Sequence, residues 1–177
     1  IKKAGKNFSL DLSGDKVLDE ERILEVRLNR NGADPVYFYT RIVSDEDANV
    51  AQCLNYISDY HENALAKAEN AGVGAALEPT DDADNTTLQH VTINSNYEQV
   101  TWGSLKPQVE QEERWSIKEL NSTCMSVLLQ YRVSCKGEEN ESDRYAVKEF
   151  FRVRYIADAQ KTYLLDYDRT MDQIFDA

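Results

Sequence analysis

Residues 126–133 read SVLLQYRV and residues 145–155 read YAVKEFFRVRY, and these two runs decide the fold class. In each run apolar and polar side chains alternate with a period of two, which is the period of a β-strand. Each run is therefore predicted to place its apolar side chains on one sheet face and its charged side chains in water. The predicted apolar faces consist of Val127, Leu129, Tyr131 and Val133 in the first run and of Tyr145, Val147, Phe151, Val153 and Tyr155 in the second.

The two runs belong to a longer segment, Trp115 to Phe175, which is typical of a four-stranded β-meander. Turns are predicted at 119–122, 136–143 and 157–161, where polar residues interrupt the alternation. After Tyr167 the spacing of Met171, Ile174 and Phe175 predicts a short closing helix with its apolar side on the core.

Two hairpins are predicted before the meander. The first spans 24–43 and turns at Asn31-Gly32, a pair that tolerates positive φ. The second joins strands 88–93 and 97–102 through the polar residues 94–96. Antiparallel pairing is expected in both, because the connections are too short for a crossover.

Between the hairpins the period changes to that of a helix. Ser44 is a suitable N-cap residue, and the acids at 45–47 place negative charge on the first turn, where the helix dipole favours it. A long amphipathic helix is predicted over 45–70, ending near Gly72. The residues of its apolar stripe are Val50, Leu54, Ile57, Ala64, Leu65 and Ala68.

These elements predict an α+β fold in which an antiparallel sheet of about six strands packs one face against the helix. A curved sheet wrapped on a helix is similar in shape to nuclear-transport-factor-2-like (NTF2-like) and cystatin-like domains, and that shape is the alternative. The prediction treats residues 1–177 as one domain, with a flexible arm at 1–19 and a mobile acidic loop at 71–87.

The composition narrows the classes of function. A net charge of −12 disfavours nucleic-acid binding, because neutralising phosphates requires clustered Lys and Arg. No apolar run is long enough to span a membrane. The basic start, Ile1 to Lys6, is typical of a segment that follows a signal or anchor, which favours an extracytoplasmic location. The three cysteines have no metal-binding spacing and are predicted to be buried.

One motif resembles a catalytic pattern. Residues 164–170 read LLDYDRT, which is similar to the hhDxDxT motif of haloacid-dehalogenase-like phosphatases. The resemblance implies a nucleophile at Asp166 and a general acid at Asp168. That family carries the motif after the first strand of a parallel sheet and has Gly where this chain has Arg169. The preceding meander instead predicts a strand that ends at Tyr167, with Asp168 capping the closing helix.

The remaining chemistry predicts no catalytic residues, no metal site and no cofactor. The carboxylates Asp166, Asp168 and Asp172 lack the Gly that the sharp turn of a calcium loop requires. His61 and Cys53 lie eight residues apart on the predicted helix, which is too far for a hydrogen bond.

The number of aromatic residues is too large for one core, and the exposed ones are expected either to form cross-strand pairs that stabilise the sheet or to make a binding surface. The candidate binding residues are Tyr37, Tyr39, Trp102, Trp115, Phe150 and His61. The sequence is therefore interpreted as a non-catalytic interaction domain of an exported or membrane-anchored protein, with a protein partner. The alternative is a small-molecule or enzymatic pocket between the helix and the concave sheet face, near Ile57, His61 and Trp115.

Overall fold

The computed structural model describes residues 2–4, 7–9, 22–43, 49–69, 72–136 and 142–175. The chain divides into two compact units, residues 1–46 and residues 47–177. We refer to them as unit 1 and unit 2. The prediction of a single domain over 1–177 stays a prediction.

Unit 1 contains two small antiparallel pairs of strands. Strand β1 (Lys2–Ala4) pairs with β2 (Asn7–Ser9), and β3 (Arg22–Arg30) pairs with β4 (Ala33–Ile42). The second pair is the predicted N-terminal hairpin, and its turn uses Gly32 at φ +72°, a conformation that favours glycine. The predicted flexibility of the arm at 1–19 stays a prediction, and most of that arm lies outside the described residues.

Unit 2 is built around one antiparallel sheet of five strands in the order β5-β9-β8-β7-β6. The largest sheet in the described chain thus has five strands rather than about six, and the coarser prediction of an α+β fold with antiparallel sheets is confirmed. Its strands are β5 (His90–Thr92), β6 (Gln108–Leu120), β7 (Met125–Lys136), β8 (Ser142–Ile156) and β9 (Lys161–Ile174).

One helix, α1 (Val50–Ala66), packs against β8 and β9. It has 17 residues and is therefore shorter than the predicted helix over 45–70. The predicted cap Ser44 lies outside the described residues, whereas Asn49 occupies the observed N-cap position. The helix ends because Lys67 adopts a left-handed conformation at φ +54°, which turns the chain away from the helix axis.

The core of unit 2 lies between α1 and the inward face of the sheet. The predicted face of β7 is confirmed, since Val127, Leu129 and Val133 are fully buried and Tyr131 nearly so. Each such apolar side chain stabilises the fold by about 1.5–3 kcal/mol relative to full exposure. The buried residues of α1 recur at steps of one, three and four, and are Cys53, Ile57, Tyr60, His61 and Ala64. All three cysteines are buried.

Two sequence predictions in unit 2 are wrong. The second hairpin is absent: β5 pairs with β9, and residues 97–100 form a short helix, α2 (Tyr97–Val100). Asn96 explains the difference, because its side chain accepts a hydrogen bond from Gln99 N and caps the helix. The closing helix is also absent, since β9 continues as a strand to Ile174 and pairs with β8 along its length.

The segment predicted as a mobile loop at 71–87 is described from Gly72 onward. It includes one turn of 3₁₀ helix at Gly74–Ala76. The backbone N–H groups of Glu78 and Thr80 donate to the carbonyls of Ile93 and Asn94, at 2.9 and 3.1 Å. These bonds attach the loop to the end of β5, and its mobility stays a prediction.

Candidate functional site

A row of inward-facing residues crosses the sheet of unit 2. The strand register places Glu149 on β8 opposite Arg169 on β9 and Leu129 on β7, and it places Leu129 opposite Trp115 on β6. Residues that are paired across an antiparallel ladder share a face, so all four side chains point toward the α1 side. Glu149 and Arg169 are almost completely buried, so the row places two charged side chains in a largely apolar core.

His61 of α1 reaches this row and contacts Glu149. Its Nδ1 atom lies 2.5 Å from Oε2 of Glu149, and the hydroxyl of Tyr167 donates to Oε1 of the same carboxylate at 2.7 Å. Burial alone would lower the pKa of His61, but the hydrogen bond and charge of Glu149 raise that pKa above its ordinary value. Burial alone would raise the pKa of Glu149, but the bond to His61 holds that pKa below its ordinary value. Both directions favour an ion pair.

The contact chain continues from His61 toward the surface. The Nε2 atom of His61 lies 3.3 Å from Oε1 of Glu113, and the indole N–H of Trp115 donates to Oε2 of Glu113 at 3.4 Å. A histidine that donates from both ring nitrogens carries a positive charge, so the protonated form satisfies both carboxylates at once. Glu113 keeps 30% of its side chain exposed and links the buried pair to solvent.

Arg169 connects the other end of the row to α2. Its two terminal nitrogens donate to the backbone carbonyls of Val100 and Gln99, at 2.7 and 2.9 Å. Its guanidinium also stacks over the ring of Trp102, with the central carbon 4.0 Å from the ring centroid. The arginine therefore satisfies carbonyls at the end of α2, and its charge helps to keep Glu149 ionised.

A groove opens where α1 meets the edge strand β6. Its volume is about 410 Å³, and it is lined by Leu54, Asn55, Ser58, Trp115 and Ile117. Ile117 is 45% exposed, and Trp115 packs against the core with part of its ring accessible. We call this depression the α1/β6 groove. Three of its five lining residues are apolar, and one of them, Trp115, contacts Glu113.

The structure distributes five of the six predicted binding residues over three places. His61 and Trp115 meet at Glu113, His61 as a buried residue and Trp115 in the groove. Phe150 lies half-buried on the opposite sheet face, in register with Leu128 and Asp168. Tyr37 and Tyr39 are 42% and 63% exposed on the hairpin of unit 1.

The prediction that Trp102 belongs to a binding surface is corrected, because its ring is completely buried. The indole lies beneath the guanidinium of Arg169, where no partner can reach it.

Three residues of the site, Glu149, Arg169 and Glu113, were not predicted from the sequence. A signal was present: Glu149 falls at an inward position between Val147 and Phe151, and a charged residue in such a position is seldom buried without a partner.

The resemblance of residues 164–170 to a phosphatase motif does not extend to the surroundings of the motif. Asp166 and Asp168 lie within the antiparallel strand β9, opposite Arg152 and Phe150. Asp168 is in contact with Nε2 of His90 at 2.6 Å, and both side chains are exposed. The predicted strand end and helix cap at Asp168 are also wrong, because the strand continues through it. Among the described residues, no group of three or more His, Cys, Asp or Glu side chains is placed to hold a metal ion.

Comparisons with known proteins returned no matching family model, no matching curated protein and no matching solved structure. The likeness to NTF2-like or cystatin-like domains thus stays a prediction from the order of elements. Within the described residues, no helix combines the length and apolar character needed to cross a membrane.

Proposed function

We propose that unit 2 is a non-catalytic binding domain that holds an extended segment of a partner protein in the α1/β6 groove. The observation that carries this proposal is the position of an apolar groove directly beside the edge strand of the sheet. A strand at a sheet edge presents unpaired N–H and C=O groups, and a peptide that adds to it gains backbone hydrogen bonds.

The pairing of β6 with β7 favours one stretch of that edge as the place where a partner segment adds. Register shifts interrupt its pairing with β7 between Val109 and Gln111, between Gln111 and Arg114, and between Ile117 and Glu119. Bulges of this kind discourage addition of another strand. The regular stretch between them is 114–117, and it carries both Trp115 and Ile117. An added strand would therefore pair where its alternate side chains point into the groove.

The charge around the groove defines the chemistry of the partner segment. Glu113 accepts the indole bond of Trp115, and Glu62 accepts a bond from the groove residue Ser58 at 3.1 Å. Two carboxylates thus border the apolar lining, in a chain with a net charge of −12. A matching segment has apolar residues at alternate positions and Lys or Arg beside them.

Trp115 is expected to supply most of the binding free energy. An aromatic ring that is held by its own chain before binding loses little freedom when a partner covers it. The bond to Glu113 and the packing against the core hold the ring in this way. Its truncation is expected to cost about 2 kcal/mol of binding free energy or more.

The alternative of an enzymatic pocket under α1 is less well supported by the packing. Ile57, Tyr60 and His61 fill the space between the helix and the sheet, and each is buried to 4% exposure or less. A substrate would have to use the groove at the rim. The extracytoplasmic location rests on the sequence alone and is kept as a proposal, which protease accessibility of the full gene product in intact cells would test.

A displayed peptide library selected on the 177-residue chain tests the proposal. Enriched peptides should alternate apolar and other residues and carry basic side chains. In ¹⁵N-resolved titrations, their binding should shift the amide signals of 114–117 and the indole N–H of Trp115. The variant Ile117→Asn should bind at least about tenfold more weakly, because a polar amide replaces an apolar contact in the groove without adding a charge that would attract a basic segment.

Leu165→Asn is the matched control, since Leu165 is 41% exposed on β9 and lies outside the groove. It should bind the peptides within about twofold of the wild-type chain. Equal weakening by both variants, shifts that map elsewhere, or no enriched peptide would each contradict the proposal. Concentration-dependent dimerisation with the same shifts would assign the groove to a second copy instead.

A further inference from the structure

The sheet of unit 2 has a second hollow, on the face opposite α1. Its volume is about 220 Å³. Its lining includes Gln111, Arg114, Gln130, Arg132, Ala146 and Lys148. We call it the basic hollow, because three of these residues are cationic and exposed.

The strand register explains why a hollow forms here. Arg114, Gln130 and Lys148 lie side by side on β6, β7 and β8, and Arg132 follows Gln130 by two residues on the same face. Ala146 lies directly opposite Arg132. Neighbouring strands are about 4.8 Å apart, so the long cationic side chains surround the short alanine and are able to converge above it.

Two other arginines on the same face have carboxylate partners. Arg144 pairs with Glu110 at 2.9 Å, and Arg152 pairs with Glu119 at 3.3 Å. Among the side chains that the structure describes, none of the acids lies within ion-pair distance of Arg114, Arg132 or Lys148. On β9, Asp172 lies opposite Ala146.

This arrangement is unusual for a chain with 32 acidic and 20 basic residues. Like charges that lie beside one another on a sheet destabilise it, and a neighbouring carboxylate usually reduces this repulsion by forming an ion pair. An anion from outside the chain would relieve the same repulsion. The cations are separated by up to 34 positions in sequence, so their clustering becomes visible only when the strands are paired.

We propose that the basic hollow binds a phosphate-type oxyanion. Two arginines offer planar forks that match phosphate oxygens in bidentate fashion, and Lys148 adds a point charge. The amides of Gln111 and Gln130 supply further donors at the rim. A dianionic phosphate fits three cations better than a singly charged carboxylate does. The phosphate comes either from a free small molecule or from a phosphorylated side chain of a protein.

The test titrates the 177-residue chain with inorganic phosphate at constant ionic strength, with chloride as the balancing anion. Saturable shifts of the amide signals of Gln130, Arg132 and Lys148 are expected. Arg132→Gln should weaken the apparent Kd about tenfold, because a charge-assisted bidentate contact is lost. Arg154→Gln is the control: it removes the same charge, but Arg154 donates to the carbonyl of Thr123 and lines a separate hollow.

A second variant separates the hollow from general electrostatic attraction. Ala146→Leu keeps every cation and fills the floor of the hollow, so phosphate binding should fall at least about tenfold. A phosphoserine peptide distinguishes the two sources of phosphate. If the peptide binds more tightly than inorganic phosphate, the natural ligand is a phosphorylated side chain of a protein. If the two bind equally, the natural ligand is a free small molecule.

Three results would overturn the proposal. One is a titration that does not saturate. Another is binding that does not depend on the hollow itself, shown either by an equal loss of affinity in Arg132→Gln and Arg154→Gln or by unchanged affinity in Ala146→Leu. The third is acetate binding as tightly as phosphate, which would remove the selectivity for a phosphate-type anion.

Discussion

His61 Nδ1 and Glu149 Oε2 lie 2.5 Å apart in unit 2, and both side chains are at most 2% exposed. Removing two charges from water is costly, and their attraction offsets that cost only when the remaining hydrogen-bonding atoms are also satisfied. Here Glu113 accepts from the second ring nitrogen of His61 and Tyr167 donates to the second oxygen of Glu149. The pair therefore depends on both neighbours.

The first prediction concerns the pH dependence of folding. The folded pKa of His61 lies above its ordinary value of 6.5, so its stabilising contribution is complete below pH 6.5 and is lost as the pH rises through the folded pKa. The folded pKa of Glu149 lies below 4.5, so its contribution is present above pH 4.5 and is lost as the pH falls through the folded pKa. The pair should stabilise unit 2 most between pH 4.5 and 6.5.

Urea unfolding across this pH range measures the effect. In His61→Gln, the free energy of unfolding near pH 5.5 should fall by about 3 kcal/mol, and the difference from wild type should shrink at higher pH. His90→Gln is the matched control, since the pair of His90 with Asp168 is 57% and 42% exposed. Its effect should stay below about 0.5 kcal/mol at every pH. A pH-independent loss in His61→Gln would argue that packing, rather than charge, explains the role of this residue.

The second prediction compares two buried tyrosines. Tyr167→Phe removes the donor to Glu149 Oε1 and leaves a buried carboxylate oxygen unpaired, which should cost about 2 kcal/mol of unfolding free energy. The bond from Tyr167 also helps to lower the pKa of Glu149, so acid unfolding should begin at a higher pH in the variant. Tyr60→Phe is the control, because the buried hydroxyl of Tyr60 has no hydrogen-bond partner among the described residues.

Thermal and acid unfolding of both variants would check this comparison. Tyr60→Phe should change the unfolding free energy by less than about 0.5 kcal/mol or increase it slightly, since no bond is lost. The ring contacts of Tyr60 with Phe151 and Tyr167 remain in that variant. Equal destabilisation by the two substitutions would show that the Tyr167 hydroxyl is not specifically needed.

The sequence predicts the strands of this molecule better than its charged core. Alternation identifies the inward face of β7 correctly, because one face of that strand is almost wholly apolar. The burial of Glu149 and Arg169 could not be predicted in this way, since alternation identifies an inward face by its apolar residues and both of these residues are charged. Their partners are also distant in sequence: His61 lies 88 positions from Glu149, and only the folded chain brings them together.

The error at residues 168–174 has a different physical cause. Met171 and Ile174 have a helical spacing, but a few residues of local pattern stabilise a helix only weakly. Strand β8 offers a partner along the whole of β9, and the hydrogen bonds of that pairing outweigh the local preference. The α1/β6 groove was likewise unpredictable in detail, because the order of strands decides that β6, rather than another strand, forms the edge.

The third prediction concerns Arg169. Arg169→Lys keeps the charge but loses the planar fork that reaches two carbonyls and the stacking over Trp102. Because the carbonyl of Val100 would lose its Arg169 donor and that of Gln99 would keep only the N–H of Trp102, and because the stacking is lost as well, the unfolding free energy should fall by about 3 kcal/mol. Arg154→Lys, an exposed arginine that donates to Thr123 O, is the control and should cost less than about 0.5 kcal/mol.

Chemical denaturation followed by near-ultraviolet circular dichroism would measure the Arg169 effect, because the signal of the buried Trp102 reports on the same contact. A loss of the tryptophan signal that precedes global unfolding would locate the damage at α2. If Arg169→Lys and Arg154→Lys were equally mild, the guanidinium fork would have no special role in the fold.

The fourth prediction tests whether unit 2 folds by itself. Among the described residues, every buried member of the core cluster lies between Cys53 and Met171, within unit 2. Because hydrophobic burial is the main favourable contribution to folding, a chain of residues 47–177 should keep this core and unfold in one cooperative transition. Its midpoint temperature should lie within a few degrees of that of the full chain, as a change of about 1 kcal/mol shifts the midpoint by about 2–8 °C.

Calorimetry of the two chains side by side provides the measurement. A broad, non-cooperative transition in residues 47–177 would support the prediction of one domain over 1–177, since residues 1–46 would then contribute to the stability of the core.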